Sequence, residues 1–475
     1  MSEAIACDIC VIGAGAAGLT VAAGASQLGA STVLVEHRKM GGDCLNYGCV
    51  PSKALLAAAR VAATCRGADR FGISVGEPAV DFAATMRHVH AVIAAIAPTD
   101  SVARFEGLGV RVLHATARFA GPREIVAGDA RVTARRFVIA AGAGPAVPPI
   151  PGLDRVPYLT NETLFDNGEL PRHLVIIGGG PIGIEMAQAH ARLGARVTVI
   201  EAARALAKDD PELAEQLLQR LRREGIAIRE GTVVARVHPL PEGIALDLGG
   251  EPPERLTASH LLVATGRRPD LAALDLDKAG IAHEAGGITV DERLRTTNRR
   301  VFAIGDVVAG APQFTHIAGY HAGIVIRNAL FRLPAKVDYR ALPWVTYTDP
   351  ELAHVGLTEA DARARYGRDL AILRSAFHEN DRAQTERATA GGIKVVARRN
   401  GRILGASILG AHAGELIQPW GLAIAQGLRL KALAGMIAPY PTFAEANKRA
   451  AASFYMAKLF SERTRRLVRL LARFG

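Results

Sequence analysis

The feature that most constrains this chain is a glycine pattern that occurs twice with the same long-range spacing. The first copy reads Gly13-Ala-Gly15-Ala-Ala-Gly18 and the second Gly178-Gly-Gly180-Pro-Ile-Gly183. Each follows a short apolar run, suited to a buried parallel strand, and opens an Ala-rich helical stretch. Each is followed by a second apolar run, Thr32–Val35 or Val197–Ile200, that ends in an acid. Glu36 and Glu201 both lie 23 residues after the first glycine of their motif. The strand–turn–helix–strand–acid order is what a dinucleotide-binding unit requires. The first glycine makes the tight turn, and the second lets the backbone approach a pyrophosphate. The third lets helix pack on strand, and the acid accepts hydrogen bonds from an adenosine ribose.

Each unit then closes on an apolar strand and a small-residue turn, Phe137–Gly142 and Leu261–Gly266. The Pro-rich run Pro145–Pro151 reads as the exit from the first unit and Arg267–Asp270 as the exit from the second. A further apolar strand ends in Gly305-Asp306. From about Leu342 the pattern changes to short β-rich runs followed by helices, an α+β arrangement. The expected architecture is α/β: two Rossmann-like dinucleotide-binding domains plus a C-terminal α+β domain. The expected bounds are 1–148, 149–268, a central segment 269–338 returning to the first domain, and 339–475.

A formal charge of +11 raises the question of an anionic partner. Five of those charges, Arg463, Arg465, Arg466, Arg469 and Arg473, fall in the last thirteen residues. The remainder is only mildly basic, which argues against nucleic acid. In the tail, Leu467, Leu470, Leu471 and Phe474 recur at helical spacing opposite the arginines. The first expectation is a helix docked on its own fold with a solvated Arg face. The alternative is peripheral contact of residues 463–475 with an anionic membrane surface. No basic flank with an apolar run precedes the first strand, and no stretch of about 18 apolar residues suggests a span. A reducing cytoplasm is the expected compartment, with the inner membrane face as the tail's alternative site.

Five cysteines in a chain this long are not a secreted disulfide framework. Cys7 and Cys10 fall within the first strand and read as core. Cys44 and Cys49 stand in Met40-Gly-Gly-Asp-Cys-Leu-Asn-Tyr-Gly-Cys-Val-Pro-Ser-Lys53. Pro51 suits a helix's first turn, which puts Cys49 at a helix N-terminus, where partial positive charge stabilises a thiolate. A chain turn at Gly48 brings the two cysteines within disulfide reach. A zinc site needs more ligands than the neighbourhood offers, so no metal centre is expected.

On these residues the chain resembles the class I pyridine nucleotide–disulfide oxidoreductases, the group that includes dihydrolipoamide dehydrogenase and mercuric reductase. The Cys44–Lys53 stretch is the most specific mark. The nucleotide motifs, Gly305-Asp306 and Tyr347–Glu351 fall in the family's order. The resemblance implies FAD on Gly13, Gly15, Gly18, Glu36, Gly142 and Asp306. It implies a nicotinamide cofactor on Gly178, Gly180, Gly183, Glu201 and Gly266. NAD(H) is favoured over NADP(H) because Glu201 repels a 2′-phosphate; Arg204 keeps the second open. Lys53 and Glu185 match the family's ion pair beside the flavin. Cys49 is implied as the thiol against the flavin and Cys44 as the outer thiol. A homodimer is implied, as is a small-molecule or protein electron acceptor.

One element departs from the disulfide reductases. Their C-terminal His-Pro-Thr-x-x-Glu supplies an acid/base for substrate thiols. Here the stretch is Tyr440-Pro-Thr-Phe-Ala-Glu445. A tyrosine titrating near 10 is a poor base at neutral pH, where a histidine near 6.5 is well matched. Mercuric reductase is similar in placing a Tyr there, but it also carries a C-terminal vicinal cysteine pair and often an N-terminal metal-binding domain. Neither has a counterpart in this sequence, which has no cysteine after Cys65. Dihydrolipoamide turnover, metal-ion reduction and transfer to a quinone or protein partner are the three readings left open.

Overall fold

The computed structural model describes residues 3–250 and 254–474, which fall into two compact units, each taken here by itself. The first unit comprises residues 1–178, 189–202 and 232–337. It starts with strand β1 (Glu3–Ile12), helix α1 (Ala16–Gln27) and strand β2 (Thr32–Glu36). A short helix α2 (Gly42–Asn46) and the longer α3 (Cys49–Arg66) follow. Then come β3 (Val110–His114), β4 (Ala117–Gly121), β5 (Glu124–Ala127) and β6 (Ala130–Ile139).

β1 lies between β2 and β6 and is parallel to both, with Ile9–Ile12 facing Thr32–Val35 on one side and Arg136–Ile139 on the other. β3 extends the sheet beyond β2, and β4 and β5 form an antiparallel flap on the first half of β6. Burial on both faces explains why β2 and the second halves of β1 and β6 read as apolar runs, whereas β4 and the first half of β6 alternate. Cys7 and Cys10 belong to this core, as expected, and burial pushes the Cys7 thiol up to about 12.

The second glycine motif follows strand β7 (His173–Ile177) and runs into helix α4 (Pro181–Arg192), which continues to β8 (Arg196–Ile200). β7 pairs in parallel with β8 and with β9 (His260–Val263). Strand β10 (Val301–Ala303) returns to pair in parallel with β6, and α5 (Thr315–Ala329) then packs on α1. Both glycine motifs therefore sit at the carboxyl ends of parallel strands, where open α/β sheets bind ligands.

The second unit comprises residues 179–188, 203–231 and 338–475. Its sheet is antiparallel and five-stranded: β11 (Pro343–Thr346), β12 (Glu351–Gly356), β13 (Leu370–Ala376), β14 (Gly392–Arg398) and β15 (Ile403–Gly410), in the order β11-β12-β15-β14-β13. Trp420 fills the core beside it and donates its indole N–H to Asn447 Oδ1 at 2.7 Å; both side chains are fully buried. Asn447 lies on α6 (Glu445–Leu459), which is followed by α7 (Glu462–Leu471).

A buried lysine ties this unit together. Lys394 Nζ is 2.8 Å from Asp210, 2.9 Å from Glu359 and 3.1 Å from Glu212. Removing one partner from such a cluster leaves uncompensated buried charge, at a cost of about 3–5 kcal/mol. Lys394→Met is therefore expected to lower the unfolding free energy by that amount, read as a lower denaturant midpoint; an unchanged midpoint contradicts the account. The Arg374 and Lys394 hydrogen bonds hold the Glu212 carboxyl down to about 2. Its contribution is thus fully present above its ordinary value of 4.5 and is lost as the pH falls from there towards 2.

Candidate functional site

Gly13 leaves β1 at φ +104°, and a Cβ there would lie 2.4 Å from the Ala140 carbonyl oxygen. A Cβ on Gly18 would lie 1.8 Å from the Gly13 carbonyl oxygen. Both glycines are required by the protein's own backbone. Gly15 is different: its nearest neighbour would be Gly42 Cα at 3.9 Å, so packing alone does not exclude a side chain. The space before Gly15, at the N-terminus of α1, fits the pyrophosphate that the motif's second glycine serves. Glu36 supports the same turn, accepting the Ala14 N–H at 2.6 Å and the Arg38 N–H at 2.7 Å.

The second motif repeats this division. Gly178, at φ +114°, has the Ala264 carbonyl oxygen 2.4 Å from where a Cβ would stand, whereas Gly180 meets nothing within 4 Å. Gly183 is buried in the first turn of α4, and Glu201 directly follows β8. Gly142 and Gly266 both take positive φ, +69° and +125°, in the turns that close the two units. The Gly266 carbonyl accepts the Ala146 N–H at 2.9 Å.

The cysteine loop abuts the first motif. Gly42, at φ +57°, would bring a Cβ to 2.6 Å from Gly15 Cα, so only glycine permits α2 to start there. Gly48 makes the expected turn, and its missing Cβ leaves room for the Asp43 carboxylate, which would lie 2.7 Å away. Asp43 accepts from Asn161 Nδ2 at 2.8 Å and from Arg267 Nη1 at 2.9 Å. Arg267 also donates to the Ala143 carbonyl. Its buried Nε is 3.2 Å from Asp306 Oδ2, with no hydrogen-bond acceptor in line among the described residues.

Burial raises the Asp306 carboxyl against the pull of Arg267. The preceding residue, Gly305, donates its N–H to Nδ1 of the fully buried His321 at 3.1 Å, and desolvation keeps that imidazole neutral by lowering it to about 4. Arg267 thus links the segment that carries Cys44 to the acid at the end of β10.

Cys44 is half-buried and Cys49, the first residue of α3, is exposed. Both are free thiols. Cys49 Sγ lies 3.2 Å from the Thr315 hydroxyl at the start of α5. The Cys49 thiol is lowered to about 6, first by a hydrogen bond from Cys44, then by Thr315 and by the charge of Lys53, against the cost of burial. Cys44 moves upward, chiefly because it keeps its proton to donate to Cys49. Cys49 stands at the start of a helix, as expected, and its thiol moves downward. The largest cause of that shift is the neighbouring thiol, and neither Thr315 nor Arg267 was among the residues singled out from the sequence.

Five expected residues lie in the other unit: Gly180, Gly183, Glu185, Tyr440 and Glu445. Glu185 is buried on α4 and accepts the Tyr347 N–H at 2.9 Å, so it is no ordinary helix-surface acid. Tyr440 is exposed and donates its O–H to Asp381 Oδ2 at 2.9 Å; that bond and the carboxylate's charge raise the phenol above its ordinary 10. Glu445 accepts the Thr442 N–H at 3.3 Å at the start of α6.

Comparison with known proteins gives a consistent picture. Residues 7–322 match the family model described as pyridine nucleotide-disulphide oxidoreductase, and residues 342–451 match that family's dimerisation domain. A mercuric reductase of Streptomyces lividans is 41% identical over 464 residues, covering 94% of this chain and 96% of that protein. A dihydrolipoyl dehydrogenase of Chlamydia muridarum is 33% identical over 457 residues, with coverage of 94% and 96%. The Cu(II) complex of the HOCl-induced flavoprotein disulfide reductase RclA from Escherichia coli superimposes with a TM-score of 0.84 at 29% identity, covering 94% of this chain and 99% of that one.

A thiolate held at about 6 stays nucleophilic well below neutral pH. In the reduced protein, alkylation of Cys49 by iodoacetamide is expected to follow a titration centred near pH 6, with the reactive form present above it and lost below. Thr315→Val should move that midpoint up by about one pH unit. A midpoint near the ordinary cysteine value of 9 contradicts the assignment.

Proposed function

The chain belongs to the pyridine nucleotide-disulphide oxidoreductase family, and we propose that it spends its electrons on a soft, thiol-binding metal ion of the Hg(II) type at Cys44 and Cys49. Membership makes it an NAD(P)H-dependent flavoprotein oxidoreductase with FAD as its flavin. When bound, FAD accepts hydride from the nicotinamide and passes an electron pair on. In this reading Gly13, Gly15, Gly18, Glu36, Gly142 and Asp306 hold the FAD. Gly178, Gly180, Gly183, Glu201 and Gly266 hold the nicotinamide cofactor, and the acid at Glu201 supports NADH as the donor. Cys49 serves as the inner thiol and Cys44 as the outer one, with Lys53 favouring the thiolate. Glu185, buried on α4, is assigned the acid of the family's ion pair with Lys53. The domain bounds 1–148, 149–268, 269–338 and 339–475 belong to the same reading, and the matched dimerisation domain supports a homodimer.

The observation that carries the proposal is the state of Tyr440. A disulfide substrate needs a group that cycles a proton at its leaving thiolate. Tyr440 donates to Asp381 and is pushed away from the range in which it could accept. A metal ion bound by sulfur needs electrons and no such base, and soft thiolates select such ions. The overall change balances without a further reactant: NADH and Hg2+ give NAD+, H+ and Hg0. The identity to mercuric reductases supports this choice of acceptor over lipoamide. Cys44, half-buried beside an exposed Cys49, supplies the second sulfur that a two-coordinate soft ion takes.

Steady-state NADH oxidation with Hg(II), lipoamide and a soluble quinone as alternative acceptors tests this. Hg(II) is expected to give the largest turnover and Cys44→Ser to abolish it. Tyr440→His should raise the lipoamide rate by about tenfold or more, since a well-matched acid/base contributes about 10²–10⁴. Lipoamide turnover exceeding that with Hg(II) in the unaltered protein contradicts the proposal.

A further inference from the structure

We infer that α7 lies flat on an anionic lipid surface. The helix spans Glu462–Leu471 and buries none of its residues, so the expected docking on its own fold is not seen among the described residues. At about 100° per residue, Leu467, Leu470 and Leu471 fall within one arc of about 100°, and Phe474 follows just beyond the helix end. They are 52%, 50%, 57% and 81% exposed. Within the helix, Arg465 and Arg469 lie on the opposite side, Arg466 flanks the arc, and Arg463 sits on the arc's own side at the start of the helix. Exposed apolar side chains continue at Met456, Leu459 and Phe460 just before the helix. The turn between the helices is fixed: Ser461 caps α7, and Thr464 Oγ1 donates to the Lys458 carbonyl at 2.9 Å. Exposed apolar surface of this extent marks an interaction site.

Charge selects the occupant. The segment carries five arginines against one acid, Glu462, which is already engaged by Arg466 and Arg469 at 3.8 and 2.6 Å. A second copy meeting this face about a twofold axis sets the same arginines against themselves. The dimerisation-domain match also ends at residue 451, before α7 begins. Anionic headgroups supply the opposite sign, and the Leu/Phe arc suits burial of about 5–10 Å into the headgroup boundary. No helix among the described residues is long and apolar enough to cross a membrane, so the contact is peripheral.

Co-sedimentation of the full-length flavoprotein with vesicles tests the inference. The protein should pellet with mixed phosphatidylglycerol/phosphatidylcholine vesicles and stay in solution with phosphatidylcholine alone. Leu467→Glu combined with Leu471→Glu should abolish pelleting. Arg465→Gln and Arg473→Gln should each weaken it about fivefold. These side chains are exposed, so flavin absorbance and NADH oxidation should be unchanged in every variant. Wild-type protein that remains in solution with both vesicles overturns the inference, as does equal pelleting of the Leu variants. A fall in oligomeric state by analytical ultracentrifugation in the Leu variants, without vesicle binding by wild type, assigns the face to a second copy instead.

Discussion

Holding two sulfurs at a fixed place beside a dinucleotide turn depends first on the approach of one backbone to another. Gly42 comes so close to Gly15 that neither the start of α2 nor the turn after β1 can shift without the other. From that contact the rest follows. Asp43 is the next residue, and its carboxylate takes the space Gly48 leaves open, which sets where α3 begins. Cys49 begins α3 and so inherits its position. Arg267 closes the arrangement by joining Asp43 to Asp306 at the end of β10, a strand that itself pairs with β6. The cysteine loop, the first glycine motif and Asp306 are one connected structure.

The electrostatics of that structure divide the labour between two like residues. Both cysteines are equally acidic as isolated side chains. In place, Cys44 keeps its proton and lends it as a hydrogen bond, while Cys49 collects that bond, the Thr315 hydroxyl and the charge of Lys53. The pair therefore titrates unequally, Cys49 moving down and Cys44 moving up. In the other unit the same principle acts against proton transfer. Asp381 accepts the Tyr440 O–H and raises the phenol above its ordinary value, so Tyr440 holds its proton more tightly than a free phenol.

The parts of this account that are local in sequence were legible before the structure. The paired glycine motifs, the acids 23 residues on, the turn at Gly48 and the start of a helix at Cys49 all follow from short-range rules. What stayed hidden depends on distant residues. Thr315 is 266 positions from Cys49 and Arg267 is 224 from Asp43. Neither carries a local signal, although Arg267 stood at a segment already read as a domain exit. Glu185 alone looks like any helix glutamate; only the fold shows it buried against the Tyr347 amide. The C-terminal helix was legible as amphipathic, but sequence alone could not say that its apolar side stays uncovered by its own fold.

The central claim is that electrons leave the flavin through a Cys49 thiolate. The most direct measurement is the absorption spectrum during anaerobic titration with NADH. The account predicts a long-wavelength band, from a thiolate lying against oxidised flavin, that appears at two electrons per subunit, is absent in Cys49→Ser, and in Cys44→Ser is present before NADH is added and bleaches as the flavin is reduced. Direct bleaching of the flavin with no such band, or a band indifferent to Cys49→Ser, contradicts it.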